Sequence, residues 1–375
     1  MRGARWYAGI GTPGSDSTTE VLRVVDRAIG LSTEMATADR VELLIDMARL
    51  RYFTDDLADL RELCAEAVDL GRRLGDREHS IALCGTWAAI YEPGTASERL
   101  SIASQARAAA RRSGSLDYDV TATLLETCSC LELGRIGEAT AAIEDVRRRV
   151  VNVQAPKLTW FAHSWNVLKL TIDGDLEAAE AESVAGLMAW ENGTHPEAVA
   201  GFGAHLIMFR MLQGRTGELV EPIREAIRLS PNNLGYRAAL AVGLSDADPD
   251  GAWLVLEPLL RRLAEEGVRA DALTMPILVL AAEAVAKCGA DVALASVIAD
   301  LIEPLTELFA VISVFGAGGL FMGSMHHAHA LALAAADRTH EAVNAADAAI
   351  EANAGIGAPL FLARSQELKA SLVGP

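Results

Sequence analysis

The sequence predicts an all-α fold, an α-solenoid superhelix of stacked helix pairs. Glycine turn markers at Gly94, Gly134, Gly174 and Gly214 fall 40 residues apart. The helix after each marker repeats one small or apolar face in the same register. Half of the chain is apolar (51%) while only 5% is aromatic, which suits helices packed closely through small side chains better than a sheet core. A constant period of this size marks repeats that bury their apolar faces only against a neighbouring copy.

Taken in order, residues 1–17 are rich in Gly, Ser, Thr and Pro and read as a flexible N-terminal tail, with Ser17 or Thr18 able to cap the first helix. Residues 18–375 read as the repeat array, with about eight or nine helix pairs. Asp55 lies 39 residues before Gly94, and Gly289, Asp337 and a turn around Asp246–Asp250 continue the series with looser spacing. The unit is cleanest at Leu170–Trp190, where one helix ends at Gly174 and Asp175 starts the next. Ala179, Ser183, Gly186 and Leu187 then share one face. Ala139, Ile143 and Val146 hold the same offsets after Gly134, and so do Ala342, Ala346, Ala349 and Ile350 after Asp337.

Punctuation agrees with the period. Ser230-Pro231, Asp248-Pro249 and Thr194-His195-Pro196-Glu197 read as helix starts. Arg72-Arg73, Arg111-Arg112, Arg148-Arg149 and Arg261-Arg262 fall late in second helices, where cations suit the dipole. Pro222, Pro258 and Pro304 interrupt second helices and are expected to bend or delay them.

A net charge of −18 argues against direct contact with nucleic acid or an anionic membrane. No run suits a signal peptide or a membrane span, so a cytoplasmic protein is expected. Cys64, Cys84, Cys128, Cys130 and Cys288 form no CxxC pair and read as reduced thiols in or near the core.

Catalytic templates fail. The sequence holds no GxSxG elbow. His340-Glu341-Ala342-Val343-Asn344 lacks the second histidine of a zinc HExxH. His326, His327 and His329 are denser, and the first and last could share a ligand across one helical turn, but a structural role is preferred. His205, on a stripe with Phe202, Leu206 and Phe209, reads as a satisfied core histidine.

Phe309–Gly323 alone breaks the rhythm. Strand-like residues lead through Phe315 into Gly316, Gly318 and Gly319, and a helical run follows. Those are the ingredients of a dinucleotide corner, but Phe321 stands in for its third glycine and no Lys follows for a phosphate loop. A glycine-rich crossover between repeats is preferred, and this segment is the first place to seek a small-ligand pocket. Trp160, Phe161 and Trp165 have core spacing, with an aromatic floor on the concave face as the functional alternative. Trp160, Trp165, Phe315, Gly316, Gly318, Gly319, His326, His327 and His329 thus form the candidate ligand or partner surface.

The segments LELGRIGEATAAIEDV and RMLQGRTGELVEPIREAIRLSP resemble tetratricopeptide-type repeats, longer than the usual 34 residues. The C-terminal end, with Gly357-Ala358-Pro359 before Ala363-Arg364, resembles that of large bacterial signal-transduction regulators, the LuxR-type ATPases and adenylate cyclase fusions. Arg61–Leu83 and Phe315–Gly323 also resemble their repeat region. The likeness spans roughly residues 20–372 and implies an array without the P-loop, cyclase or DNA-binding modules of those regulators. The repeat, the acidic surface and the lack of a catalytic constellation lead to the expectation of a non-catalytic sensor or interaction module, without a cofactor, taking a protein segment or small effector on its concave face. The alternatives are a part of an ATP-dependent or cyclase-linked regulator, and an enzyme with a pocket near His326–His329.

Overall fold

The computed structural model describes residues 18–31, 37–52, 59–92, 94–151, 153–229, 231, 233–266, 274–289, 291–312 and 319–374. The tail at 1–17, Asp55, Ser230, Phe315, Gly316 and Gly318 lie outside the described residues. The chain is all-α, an array of helix pairs interrupted by one short β-hairpin, and it divides into two compact units.

The first unit, residues 1–130 with 314–316, contains α1 (Thr18–Leu31), α2 (Ala38–Tyr52), α3 (Leu60–Leu74), α4 (Asp76–Ala89), α5 (Ala96–Ser113) and most of α6 (Leu116–Glu132). Val21 and Val25 of α1 pack on Leu43, Met47 and Leu50 of α2. The other side of α2, at Val41 and Leu44, meets Ala67, Leu70, Ile81 and Ala82 of α3 and α4. One repeat position is chemically odd here. Arg99 occupies the place five residues after the Gly94 marker and is fully buried. Its guanidinium lies over the rings of Tyr91 (4.0 Å) and Trp87 (4.7 Å), and its Nε donates to Thr95 Oγ1 at 3.0 Å.

The second unit, residues 131–313 with 317–375, holds α7 (Ile136–Val150), α8 (Pro156–Asp173), α9 (Leu176–Ala189), α10 (Pro196–Leu212), α11 (Val220–Leu229), α12 (Leu234–Leu244), α13 (Pro249–Glu266), α14 (Thr274–Cys288) and α15 (Val292–Ile302). Strands β1 (Phe309–Ile312) and β2 (Leu320–Ser324) follow, then α16 (Met325–Ala335), α17 (Thr339–Ile356) and α18 (Pro359–Val373).

The turn markers have a common mechanism. Gly94, Gly134, Gly174, Gly214, Gly289 and Asp337 all take positive φ, between 58° and 86°. At Gly174 the amide of Asp175 reaches back to the Leu170 carbonyl, satisfying a carbonyl the helix end would orphan. The same bond joins Arg215 to Arg210 and Arg338 to Leu333. Asp175 then caps α9 by accepting from the Ala178 amide. Aspartate at 337 is tolerated because short polar side chains enter the left-handed region more readily than most.

Several expected boundaries shift. The start expected at Ser230-Pro231 lies at Asn233, whose side chain accepts from the Gly235 and Tyr236 amides. Pro222 sits in the first turn of α11 after a short 3₁₀ turn, Pro258 lies inside α13, and Pro304 belongs to the 3₁₀ turn that ends α15.

Where the sequence suggests one strand before the helix, the described residues hold two, β1 and β2. β1 and β2 pair antiparallel, with Val311 opposite Phe321 and Ile312 opposite Leu320. A dinucleotide corner needs a helix N-terminus directly after its glycines, and here β2 intervenes. Every residue of β2 is buried, against α8, α10, α16, α17 and α18. In addition, α18 packs on α8, bringing Pro359 against Gly174. The C-terminal helix of this series thus meets its second helix, and β2 packs against both.

Candidate functional site

Of the singled-out residues that are described, Trp160, Trp165, Gly319, His326, His327 and His329 all belong to unit 2, which holds two buried polar nodes. The first forms where α8, α9 and α10 meet the start of β2. Trp165, 1% exposed, and Leu168 lie against Gly319 so closely that a β-carbon there would sit 3.0–3.1 Å from their atoms. A side chain at 319 would have to push Trp165 or Leu168 aside, so glycine suits this close approach of the backbone to α8. His205 on α10 fixes the same point, with Nε2 3.1 Å from the Gly319 carbonyl and Nδ1 2.9 Å from Ser183 Oγ. Burial pushes its pKa down to about 4, although the bond to Gly319 acts in the opposite direction. A neutral ring satisfies both contacts. His205 is a satisfied core histidine.

Trp160 is equally buried, stacked in tilted contact with Phe161 and Trp190 at 5.2 Å. Both tryptophans are packing groups, as their core spacing suggests, and neither offers the exposed aromatic floor of the alternative reading.

The second node lies between α14, α16, α17, α18 and the end of β2. Asn353 accepts from the Ser324 amide at 3.2 Å and donates to Ser365 Oγ at 3.2 Å. Ser365 Oγ stands 2.9 Å from the Phe361 carbonyl and 3.1 Å from His327 Nδ1. Across the ring, His327 Nε2 is 3.9 Å from Glu283 Oε1, which accepts a 2.6 Å bond from Arg364. Burial pushes the Glu283 carboxyl up, but the Arg364 guanidinium outweighs it and holds the group below the usual range. Burial, helped by Arg364, takes His327 down to about 4. Gly323 completes the node at φ 85°, and a β-carbon there would lie 2.5 Å from the Phe361 ring.

Serine, histidine and glutamate are the residue types of an acyl-transfer triad, and here they are neighbours. The arrangement does not fit that chemistry. Ser365 is fully buried with its hydroxyl set between Phe361 and His327, leaving no approach for a substrate carbonyl. Its work is structural: it ties α18 to α16 and α17.

The histidine cluster is thus divided. His327 faces the buried node, while His326 and His329 are half-buried on the other side of α16, each held below its ordinary pKa by burial. Among the described residues no group of three or more His, Cys, Asp or Glu side chains is placed to hold a metal ion. His340 and Asn344 lie on an exposed turn of α17, 3.5 Å apart. All five cysteines are free, four of them buried, and burial raises the Cys64 and Cys84 thiols to about 11 and about 12. Such thiols stay protonated and unreactive. Among the described residues no helix is long and apolar enough to cross a membrane.

Glu283, Asn353 and Ser365 escaped the sequence reading, since each sits alone in a helical run with no local partner. Arg364 appeared only as part of the C-terminal resemblance, and its role is now physical: it neutralises a carboxylate 81 residues away.

No family model and no curated protein matches the chain. Among solved structures, the crystal structure of the P58(IPK) TPR domain is similar at 11% identity over 94% of each chain, with a TM-score of 0.22. That likeness is too slight to bear on partners or activity.

Proposed function

We propose that the chain is a non-catalytic helical-repeat interaction module that docks a protein segment on the outer face of α9. The observation that carries this is a solvent-facing stripe. Glu177, Ala181, Val184 and Met188 follow one another at helical spacing, with Ala185 beside them, opposite the buried Ala179, Ser183 and Gly186. Val184 and Met188 are 49% and 53% exposed, and α9 contains no Lys or Arg. The stripe is a shallow apolar strip with one carboxylate at its N-terminal end. That suits a partner helix or strand whose apolar side chains cover the strip and whose basic residue reaches Glu177.

In unit 2, β2 is buried among α8, α10, α16, α17 and α18, so this proposal takes the solvent-facing stripe of α9 in place of the concave face expected from the sequence. The bacterial regulatory setting implied by the C-terminal resemblance and the cytoplasmic location expected from the sequence belong to the same proposal, as does a small effector in place of a peptide.

Cross-linking capture from the native host, followed by mass spectrometry, tests the surface. Met188→Glu is expected to abolish capture of a specific partner, and Ala181→Arg to reduce it strongly by filling the strip. Glu177→Lys should weaken capture least and lower its salt dependence, with thermal unfolding unchanged in all three. Undiminished capture by all three substitutions would remove α9 as the docking face.

A further inference from the structure

We propose that Asn192 is a site of spontaneous deamidation, a built-in chemical modification of the connection between α9 and α10. The chain has seven asparagines, and Asn192 alone is followed by glycine. The reaction needs the next backbone nitrogen to reach the side-chain amide carbon, and a following residue without a β-carbon obstructs that approach least. At the other sites Val153, Val167, Asn233, Leu234, Ala345 and Ala354 follow.

Among the described asparagines the structure separates Asn192 in a second way; Asn152 and Asn232 lie outside the described residues. Asn166 and Asn353 are buried, and Asn344 lies within α17. There the following amide is committed to the helix ladder. Asn233 spends its side-chain oxygen capping α12. Asn192 is exposed, in a turn where Glu191, Asn192 and Gly193 all take positive φ, at 50°, 52° and 82°. Only one backbone bond holds the nucleophile: the Gly193 amide donates to the Trp190 carbonyl at 3.1 Å. Local opening of this surface turn releases it.

The Gly193 nitrogen attacks Asn192 Cγ, the new N–Cγ bond forms, and the Cγ–Nδ2 bond breaks. The amide nitrogen leaves as ammonia, taking up through solvent the proton that Gly193 loses. Water then opens the cyclic imide at either carbonyl, giving aspartate or isoaspartate. Both products add a negative charge beside Glu191. Isoaspartate also adds a methylene to the main chain of a short connection whose flanking residues are stacked, since the Trp190 and His195 rings lie 3.5 Å apart at 10°. That stack is the part of the structure most exposed to the change.

The test uses the purified full chain, aged in warm, mildly alkaline buffer beside a synthetic peptide of the same turn. Peptide mass spectrometry with enzymatic isoaspartate labelling is read at all seven asparagines. Asn192 is expected to convert several-fold faster than any other, faster as pH rises, with loss of the Trp190 stacking signature in near-UV circular dichroism. Thr194→Ala, which keeps the Asn-Gly pair, should still react, whereas Asn192→Ser should show neither product at 192. If the peptide reacts while Asn192 in the folded chain stays intact, or if another asparagine converts first, the proposal is overturned.

Discussion

The first and second helices of each pair obey different rules, and α14 against α9 shows the contrast. Thr274 to Val285 of α14 are buried without interruption, on every side of the helix. In α9 only Ala179, Ser183 and Gly186 are buried, and the opposite stripe faces water. A helix that is apolar all round belongs inside, and one with a single stripe belongs on the surface. Inner helices therefore carry the packing, and whatever polar group lies on them must find a partner within the protein. Outer helices are free to vary on one face.

The largest effect expected from this contrast is at Trp165 on the inner helix α8. Trp165→Ala should cost about 4 kcal/mol, read as a fall in the denaturant midpoint. A loss comparable to that of a surface substitution would mean β2 does not need this floor. Next, Arg364→Ala leaves Glu283 charged and unpaired inside α14, at about 3 kcal/mol. Arg364→Leu combined with Glu283→Leu should recover much of that loss in the same measurement, because the unpaired charge goes with the pair.

Inner-helix histidines should give the protein an acid limit. Burial depresses His205 in the folded state from 6.5 to about 4, so the unfolded chain takes up the proton first. Stability from the neutral ring is whole above 6.5 and is lost as pH falls through about 4. The contribution is about 3 kcal/mol, and His327 should act in the same direction. Chemical denaturation across this window checks it, with a flatter profile for His205→Gln.

On the outer helix the two faces should part company. Gly186→Leu drives side-chain atoms into His163, whose Cβ would lie 2.9 Å from the new β-carbon, and should cost about 2 kcal/mol. Val184→Ala, two residues away on the open face, should shift stability by less than about 0.5 kcal/mol. Equal effects at 184 and 186 would erase the distinction between the faces.

The same contrast explains what the sequence disclosed. Turn markers were legible because left-handed backbone restricts residue choice to glycine and a few others, as at Gly134 and Asp337. Outer stripes were legible because a single buried face leaves a 3.6-residue period, as at Ala139, Ile143 and Val146. Inner helices such as α14 carry no period, since both faces are apolar, and their packing partners could not be assigned. The hairpin was half legible: β1 stood out, but β2 ran into α16 without a break in hydrophobicity. The Glu283–Arg364 pair was invisible, because a carboxylate among alanines in one helix gives no hint of an arginine 81 residues on. The stripe alone marks His205 as a core histidine, though nothing local points to Gly319 as its partner.

The contact of Pro359 with Gly174 has a consequence for how this unit can change over time. An open row of repeats gains or loses a copy at little penalty, since the remaining copies keep their neighbours. Here the last helix docks on α8, and inserting or deleting one pair anywhere between them would carry α18 out of reach of its seat. Glu283 would then lose its counter-charge and β2 its cover. Between α8 and α18, then, a change in repeat number is opposed by this contact, and substitution and changes in turn length are the gentler routes to diversification.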